Sequence, residues 1–243
     1  MNKLFLIPAT IGDSNVSDVL PANFSQQINA LKTFIVEDLR TARRFLRSAG
    51  YTQNFDDVKF LVLNEHTDIS EIETYLNTIS EGSIGLLSEA GVPCVADPGS
   101  EIVALAHRKN IPVVPLVGPS SILLALMASG LNGQNFCFNG YLPVDKHARE
   151  KKLKDLEQRA IRENQTQIFI ETPYRNNHLL ESILAVCNPS TRVGIAANIT
   201  QENAIHQTKS VAEWLKQKID LHKQNAVFLI GAGYEVLGTR CTI

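Results

Sequence analysis

Residues able to hold a small ligand gather in four short stretches of this chain. The densest is Ser88-Glu-Ala-Gly-Val-Pro-Cys-Val-Ala-Asp-Pro-Gly99, directly after an apolar run. Small residues there let backbone approach a ligand as closely as a nucleoside-sized group requires. Glu89 and Asp97 add negative charge that would suit a cationic sulfonium. The same composition also describes a long connector whose acids cap the following helix. Pro8-Ala-Thr-Ile-Gly12 closes the first apolar run, at the carboxyl end of a strand, where open α/β sheets bind ligands. It is neither G-x-G-x-x-G nor a phosphate loop, and alone it reads as a plain β–α turn. Gly118-Pro119-Ser120-Ser121 precedes an apolar helix that Ser120 could cap, which leaves its amides able to meet a ligand.

Further along, Glu171-Thr-Pro-Tyr-Arg175 ends a strand as either a solvated turn or a wall of a cleft. Glu65-His66 ends the third strand, and a lone histidine there is more often a structural hydrogen-bonder than a catalyst. No Ser-His-Asp order, H-E-x-x-H motif or other metal spacing occurs, so no metal is expected.

These stretches need a scaffold, and the alternation of short apolar runs with amphipathic ones argues α/β with mostly parallel pairing. Strands are predicted at Leu4–Pro8, Thr33–Val36, Val58–Leu63, Ser83–Leu87 and Val113–Pro115. A second series covers Phe136–Tyr141, Gln167–Ile170, Val193–Ala197, Ala204–Lys209 and Val227–Ile230. Predicted helices fill the intervals, among them Ser70–Ser80, His147–Arg162 and Val211–Ile219. The clearest is Leu39–Ala49. There Leu39, Ala42, Leu46 and Ala49 share one face, and Arg40, Arg43, Arg44 and Arg47 share the other.

The length of 243 residues suits two lobes, and Pro115-Leu-Val-Gly-Pro-Ser120 is the best boundary, giving lobes 1–116 and 117–243. So short a connection predicts a cleft between them. Lys and Arg number 23 against 25 Asp and Glu, so any basic site must be local. Four scattered cysteines without C-x-x-C spacing read as ordinary reduced thiols. With no signal-like segment and no run near the roughly 18 apolar residues of a membrane span, a cytoplasmic address is expected.

In this order the loops resemble the tetrapyrrole methylase superfamily, whose members use S-adenosylmethionine. Within it the chain is most similar to the bacterial branch that 2′-O-methylates small-subunit ribosomal RNA. Pro8, Ile11 and Gly12 match the first loop of that family, and Glu37-Asp38 with Arg40 and Arg43-Arg44 match a helix start. Glu65-His66 matches a short His-Glu-His segment. Ser88, Ala90-Gly91, Pro93 and Asp97-Pro98-Gly99 match the most characteristic loop. Gly118-Pro119-Ser120, Ala128-Ser129-Gly130-Leu131, Gly140 with Leu142-Pro143, and Glu171 with Pro173 and Arg175 complete the series.

The resemblance implies two α/β lobes with S-adenosylmethionine between them, commonly in a homodimer. It implies that Pro8, Ala9, Gly12, Ser88, Glu89, Ala90, Gly91, Pro93, Gly118, Pro119 and Ser120 line the cofactor site. Ile170 and Ala197 would close it from the second lobe. Glu37, Glu65 and His66 are the candidate bases for a hydroxyl acceptor, and Arg40, Arg43, Arg44 and Arg175 the candidate substrate contacts. Several positions depart from the family pattern. Ala9-Thr10 stand for Thr-Pro, Glu89 for Asp, Val144-Asp145 for a basic pair, and Ala197-Asn198 for Arg-Glu. Basic groups are thus missing where RNA phosphates would be met. The expected activity is methyl transfer to ribosomal RNA or the small ribosomal subunit. A small-molecule or protein acceptor and a non-catalytic cofactor-binding module are the alternatives. A nicotinamide enzyme is disfavoured by the absent glycine fingerprint.

Overall fold

The computed structural model describes residues 1–63 and 67–232, and the chain divides into two compact units, 1–120 and 121–243. The division falls after Ser120, a few residues beyond the 116/117 boundary read from the sequence.

The first unit contains β1 (Leu4–Ile7), α1 (Val16–Val19), α2 (Phe24–Asn29), β2 (Thr33–Val36) and α3 (Leu39–Ser48). It continues with β3 (Lys59–Val62), α4 (Ile69–Asn77), β4 (Ile84–Leu87), α5 (Ser100–Arg108) and β5 (Val113–Pro115). The strands form one sheet in the order β3-β2-β4-β1-β5, parallel throughout. Parallel sheets are covered on both faces, so their central strands read as unbroken apolar runs. All four residues of β2 and of β4 are buried accordingly. Phe24, Ile28, Ala42 and Leu46 pack with Phe34 in one core cluster, and Ile72, Leu76, Ile102 and Leu105 pack with Ile35 and Ile84 in another. Gly85 is required at the centre of β4, since a Cβ there would stand 2.4 Å from the Ile7 side chain.

α3 shows how local sequence sets an element. The Asp38 carboxylate caps its N-terminus by accepting from the Thr41 amide at 2.8 Å, and Ala42 and Leu46 turn inward. The short α1 has no counterpart in the sequence reading. α4 ends at Asn77, and residues 78–80 continue as a single 3₁₀ turn.

The second unit contains α6 (Ser121–Ser129), β6 (Phe136–Tyr141), α7 (Lys146–Arg162), β7 (Thr166–Ile170) and α8 (Asn176–Val186). β8 (Arg192–Ala197), β9 (Ile205–Ser210), α9 (Val211–Trp214) and β10 (Ala226–Gly231) follow. α9 is far shorter than the predicted 211–219 helix, although a complete Ser210–Glu213 capping box starts it. The sheet order is β6-β7-β10-β8-β9. Only β6 and β7 pair in parallel; β10 runs antiparallel to both β7 and β8, and β8 and β9 form a hairpin. The expectation of mostly parallel pairing therefore fails in this unit. Strand direction is decided by where the connections return the chain, which apolar periodicity does not encode. The inner faces of α7 and α8 pack with Phe169, Phe228 and Trp214, and α6 packs with Ile168 and Leu229.

Candidate functional site

β4, β1 and β5 lie side by side, and the three small-residue loops leave their carboxyl ends. The connections from β1 and β4 run to opposite sides of the sheet, toward β2 and β5. This switch in direction is where open α/β sheets take ligands. The first two loops are joined by backbone: the Ala9 amide donates to the Gly91 carbonyl at 2.9 Å, and the Gly91 amide to the Thr10 carbonyl at 3.4 Å. Gly91 has φ +72°, and a Cβ on it would stand 3.0 Å from the Pro119 carbonyl oxygen. A Cβ on Gly118 would stand 2.3 Å from Pro8. So Pro8, Ala9, Gly91, Gly118 and Pro119, which the sequence separates by more than 100 positions, form one surface, with Ser120 next along the chain.

The Ser88–Gly99 loop is held from within. The Ser88 hydroxyl, nearly fully buried, donates to Asp97 Oδ2 at 2.7 Å and accepts from the Ala90 amide at 3.2 Å. Cys94 and Ala96 hold left-handed φ angles of 66° and 59°, a conformation costly for side-chain-bearing residues and most often kept at functional loops. Pro93 is buried, while Glu89 and Ala90 are exposed. The acids do not cap the next helix. Gly99 occupies that cap, with no side-chain bond, and a Cβ on it would meet Leu86 at 2.6 Å.

Glu37, at the end of β2, stands beside this loop. Its pKa is pushed up from 4.5 to about 7, first by burial, then by the negative charge of Asp97, by a hydrogen bond to Asp97 that favours the protonated form, and by the charge of Glu89. The Glu89 carboxylate in turn accepts from the Thr41 hydroxyl at 2.7 Å. The sequence marks Asp97 as a negative charge and as part of the family's loop, but does not pair it with Glu37, and it does not mark Thr41. The third residue of a helix capped by aspartate looks like ordinary capping until the fold brings Glu89 against it. Glu65 and His66 lie outside the described residues.

The candidate substrate arginines differ in their surroundings. Arg43 lies over Phe60 and Phe55, at 5.2 and 5.6 Å from the ring centroids, and its Nε is buried without a hydrogen-bond partner among the described residues. Arg47 lies 4.0 Å over Phe55 and donates to the Tyr51 carbonyl at 2.6 Å. Only Arg40 and Arg44 of the expected stripe project into solvent clear of the aromatic rings. Arg43 and Arg47 are held because Phe55 and Phe60, remote from them in sequence, present ring faces to the helix. Arg175, in the second unit, donates through Nε and Nη2 to Glu171 Oε1 at 3.1 and 2.6 Å. The Glu171 side chain is 1% exposed and also accepts from the Thr172 amide. Arg175 thus neutralises a buried carboxylate. Ile170 and Ala197 end β7 and β8 on either side of β10, opposite Val227 and Ala226, and so lie at the same end of that sheet. Burial pushes the Cys94 thiol up to about 11 and the Cys187 thiol up to about 12, which keeps both protonated.

A parallel sheet whose central loops present close-packed backbone and a proton-holding carboxyl at its switch point is a ligand-binding α/β architecture. The family model for tetrapyrrole (corrin/porphyrin) methylases matches residues 23–233, and the chain belongs to that family and is a methyltransferase. It is 31% identical over 232 residues to ribosomal RNA small subunit methyltransferase I of Escherichia coli O157:H7, covering 94% of this chain and 77% of that relative. The corresponding Haemophilus influenzae enzyme is 30% identical, with 93% and 77% covered. Among solved structures, the methyltransferase CobJ superposes with a TM-score of 0.63 at 15% identity, covering 96% of this chain and 95% of its own. The cobalt precorrin-4 methyltransferase CbiF does so with 0.61 at 15% identity, over 98% and 96%. These structures share the fold. Among the described residues no helix is long and apolar enough to cross a membrane.

Proposed function

We propose that the protein transfers the methyl group of S-adenosylmethionine to a 2′-hydroxyl of small-subunit ribosomal RNA. The observation that carries this reading is the surface of the three loops, the first two joined by backbone hydrogen bonds and the third packed against them, with Glu37 and Glu89 beside it. The residues fit the cofactor. Gly91 and Gly118 let the three loops pack into one surface where a Cβ would meet Pro119 or Pro8, and the exposed Glu89 carboxylate suits a positive sulfonium. Pro8–Gly12, Ser88–Pro93 and Gly118–Ser120 would hold it. When bound, the cofactor supplies an electrophilic methyl already attached to its leaving group.

The protein has to align the acceptor and remove its proton, and alignment alone is worth up to roughly 7–11 kcal/mol. Glu37 is the base. A carboxyl held near neutrality accepts a proton at working pH while remaining a stronger base than an ordinary carboxylate. With acceptor and cofactor bound, Glu37 would take the proton of the acceptor hydroxyl as that oxygen becomes the nucleophile. The relatives named above support the RNA substrate. A ribosomal substrate puts the protein in the cytoplasm, and the family resemblance adds a homodimer, which sedimentation would test.

Incubation with methyl-labelled S-adenosylmethionine and small-subunit RNA or particles from cells lacking the activity tests the reading. Label released with a 2′-O-methylated nucleotide is expected. Label on a small molecule or protein, or none at all, would overturn it.

A further inference from the structure

With Arg43 and Arg47 lying over aromatic rings, only Arg40 and Arg44 of α3 stand clear of them. The second unit carries a denser positive surface that no loop motif marks. Over the 17 residues of α7 there are seven Lys or Arg against three Asp or Glu, in a chain whose acids outnumber its bases. The inward charges of this helix are satisfied internally. Arg149 donates to the Ser182 hydroxyl at 3.1 Å and the Val144 carbonyl at 2.8 Å. Glu157 accepts from the Asn188 amide at 2.7 Å and from the Thr191 hydroxyl. Leu153, Leu156 and Ala160 fill the same inner face.

The outer face is different. His147, Lys151, Lys154, Gln158 and Arg162 recur at helical spacing, and all five are exposed. At 1.5 Å per residue the row is about 22 Å long. Lys151 and Lys154 make no hydrogen bond or ion pair among the described residues. Arg162 pairs with the adjacent Glu163 at 2.6 Å, a solvent-exposed contact that phosphate could replace. Lys146 and Glu150 pair at 3.8 Å beside the row, and Asp155 is the acid on its flank.

We propose that the outer face of α7, through Lys151, Lys154 and Arg162, is a phosphate-binding surface that grips the backbone of the substrate RNA. The inference rests on the RNA reading above. A rigid helix packed on the sheet holds these cations in a fixed line, and a line of fixed cations complements a strand of phosphates without reading sequence.

The test is binding of naked small-subunit ribosomal RNA, followed by fluorescence anisotropy between about 50 and 200 mM salt. The triple variant Lys151→Gln, Lys154→Gln and Arg162→Gln should bind at least about tenfold more weakly at the upper end of that range, with a log–log salt slope flatter by about three units. The variant Lys151→Arg with Lys154→Arg should keep both, and S-adenosylmethionine titration should report the same cofactor affinity in all three proteins. If wild type binds the RNA and the triple variant matches it in affinity and slope, the α7 surface is refuted and the RNA reading stands. If wild type shows no RNA binding at 50 mM salt, both are refuted. Loss of binding to anionic lipid vesicles with RNA binding unchanged would assign the row to a membrane and overturn the proposal.

Discussion

The Ala9 amide and the Gly91 carbonyl, 2.9 Å apart, lock the loop after β1 to the loop after β4. The bond depends on Gly91 keeping its left-handed φ of +72°. Gly91→Ala should cost about 1–2 kcal/mol from backbone strain alone, and its Cβ would crowd the Pro119 carbonyl. A drop in melting temperature of about 3–6 °C is expected. S-adenosylmethionine affinity should fall by more than that loss explains when measured calorimetrically on the folded fraction. Unchanged affinity would mean that these loops do not hold the cofactor.

Glu37 makes activity and stability respond to pH in opposite directions. Between 4.5 and about 7 the folded protein binds a proton that the unfolded chain has released. The stability from this group is therefore complete below 4.5 and is lost as pH rises through about 7. Methyl transfer under single-turnover conditions should instead rise through the same window, since the base must be ionised. Glu37→Gln should lower that rate by roughly 10²-fold or more and abolish the pH step. Asp97→Asn, which removes the neighbouring charge, should move the step to lower pH. A profile that keeps its step in Glu37→Gln would assign the base elsewhere.

Glu89 separates binding from folding. Glu89→Gln keeps an oxygen to accept from Thr41 but removes the charge, so its melting curve should stay close to wild type. Cofactor affinity should weaken by about 1–3 kcal/mol if the carboxylate faces the sulfonium. Thr41→Val should break the hydrogen bond and lower affinity less than Glu89→Gln does. Equal affinity in Glu89→Gln and wild type would remove Glu89 from the cofactor site.

Among the arginines of α3, the two kinds of position should behave differently. Arg43→Gln gives up its stacking on Phe60 and Phe55 and should destabilise the protein by about 1 kcal/mol. Arg40→Gln with Arg44→Gln should leave the melting temperature unchanged. In that double variant the salt slope of RNA binding should flatten by about one unit for each phosphate no longer neutralised. A destabilised double variant, or an Arg43→Gln protein as stable as wild type, would contradict this division.

For Arg175, the structure argues stability before recognition. Arg175→Met leaves the Glu171 carboxylate buried without its cation and should cost about 3 kcal/mol in denaturant unfolding. The paired change Glu171→Gln with Arg175→Met should recover part of that loss. Recovery of stability without recovery of methyl transfer would reveal a substrate contact in addition.

Much of this protein is determined by its sequence alone, because the information is local. Apolar runs of four to six residues between amphipathic stretches mark nearly every strand. The inward Ala42 and Leu46 of α3, and the capping aspartates Asp38 and Asp145, mark helix faces and starts. The small residues of the Ser88–Gly99 and Gly118–Ser120 loops can be read as ligand loops because close backbone approach is a property of residue type. What the tertiary structure decided is whatever depends on partners distant in the chain. The parallel first sheet and the largely antiparallel second one arise from similar apolar runs, since direction is set by the route of the connections. Glu37 acquires a pKa of about 7 only because the fold buries it against Asp97, 60 positions away. Arg43 and Arg47 look in sequence like Arg40 and Arg44, yet the rings of Phe55 and Phe60 hold their guanidinium groups in place. Charge and ring are brought together by packing, and packing energy depends on neighbours in space, which no local pattern of residues specifies.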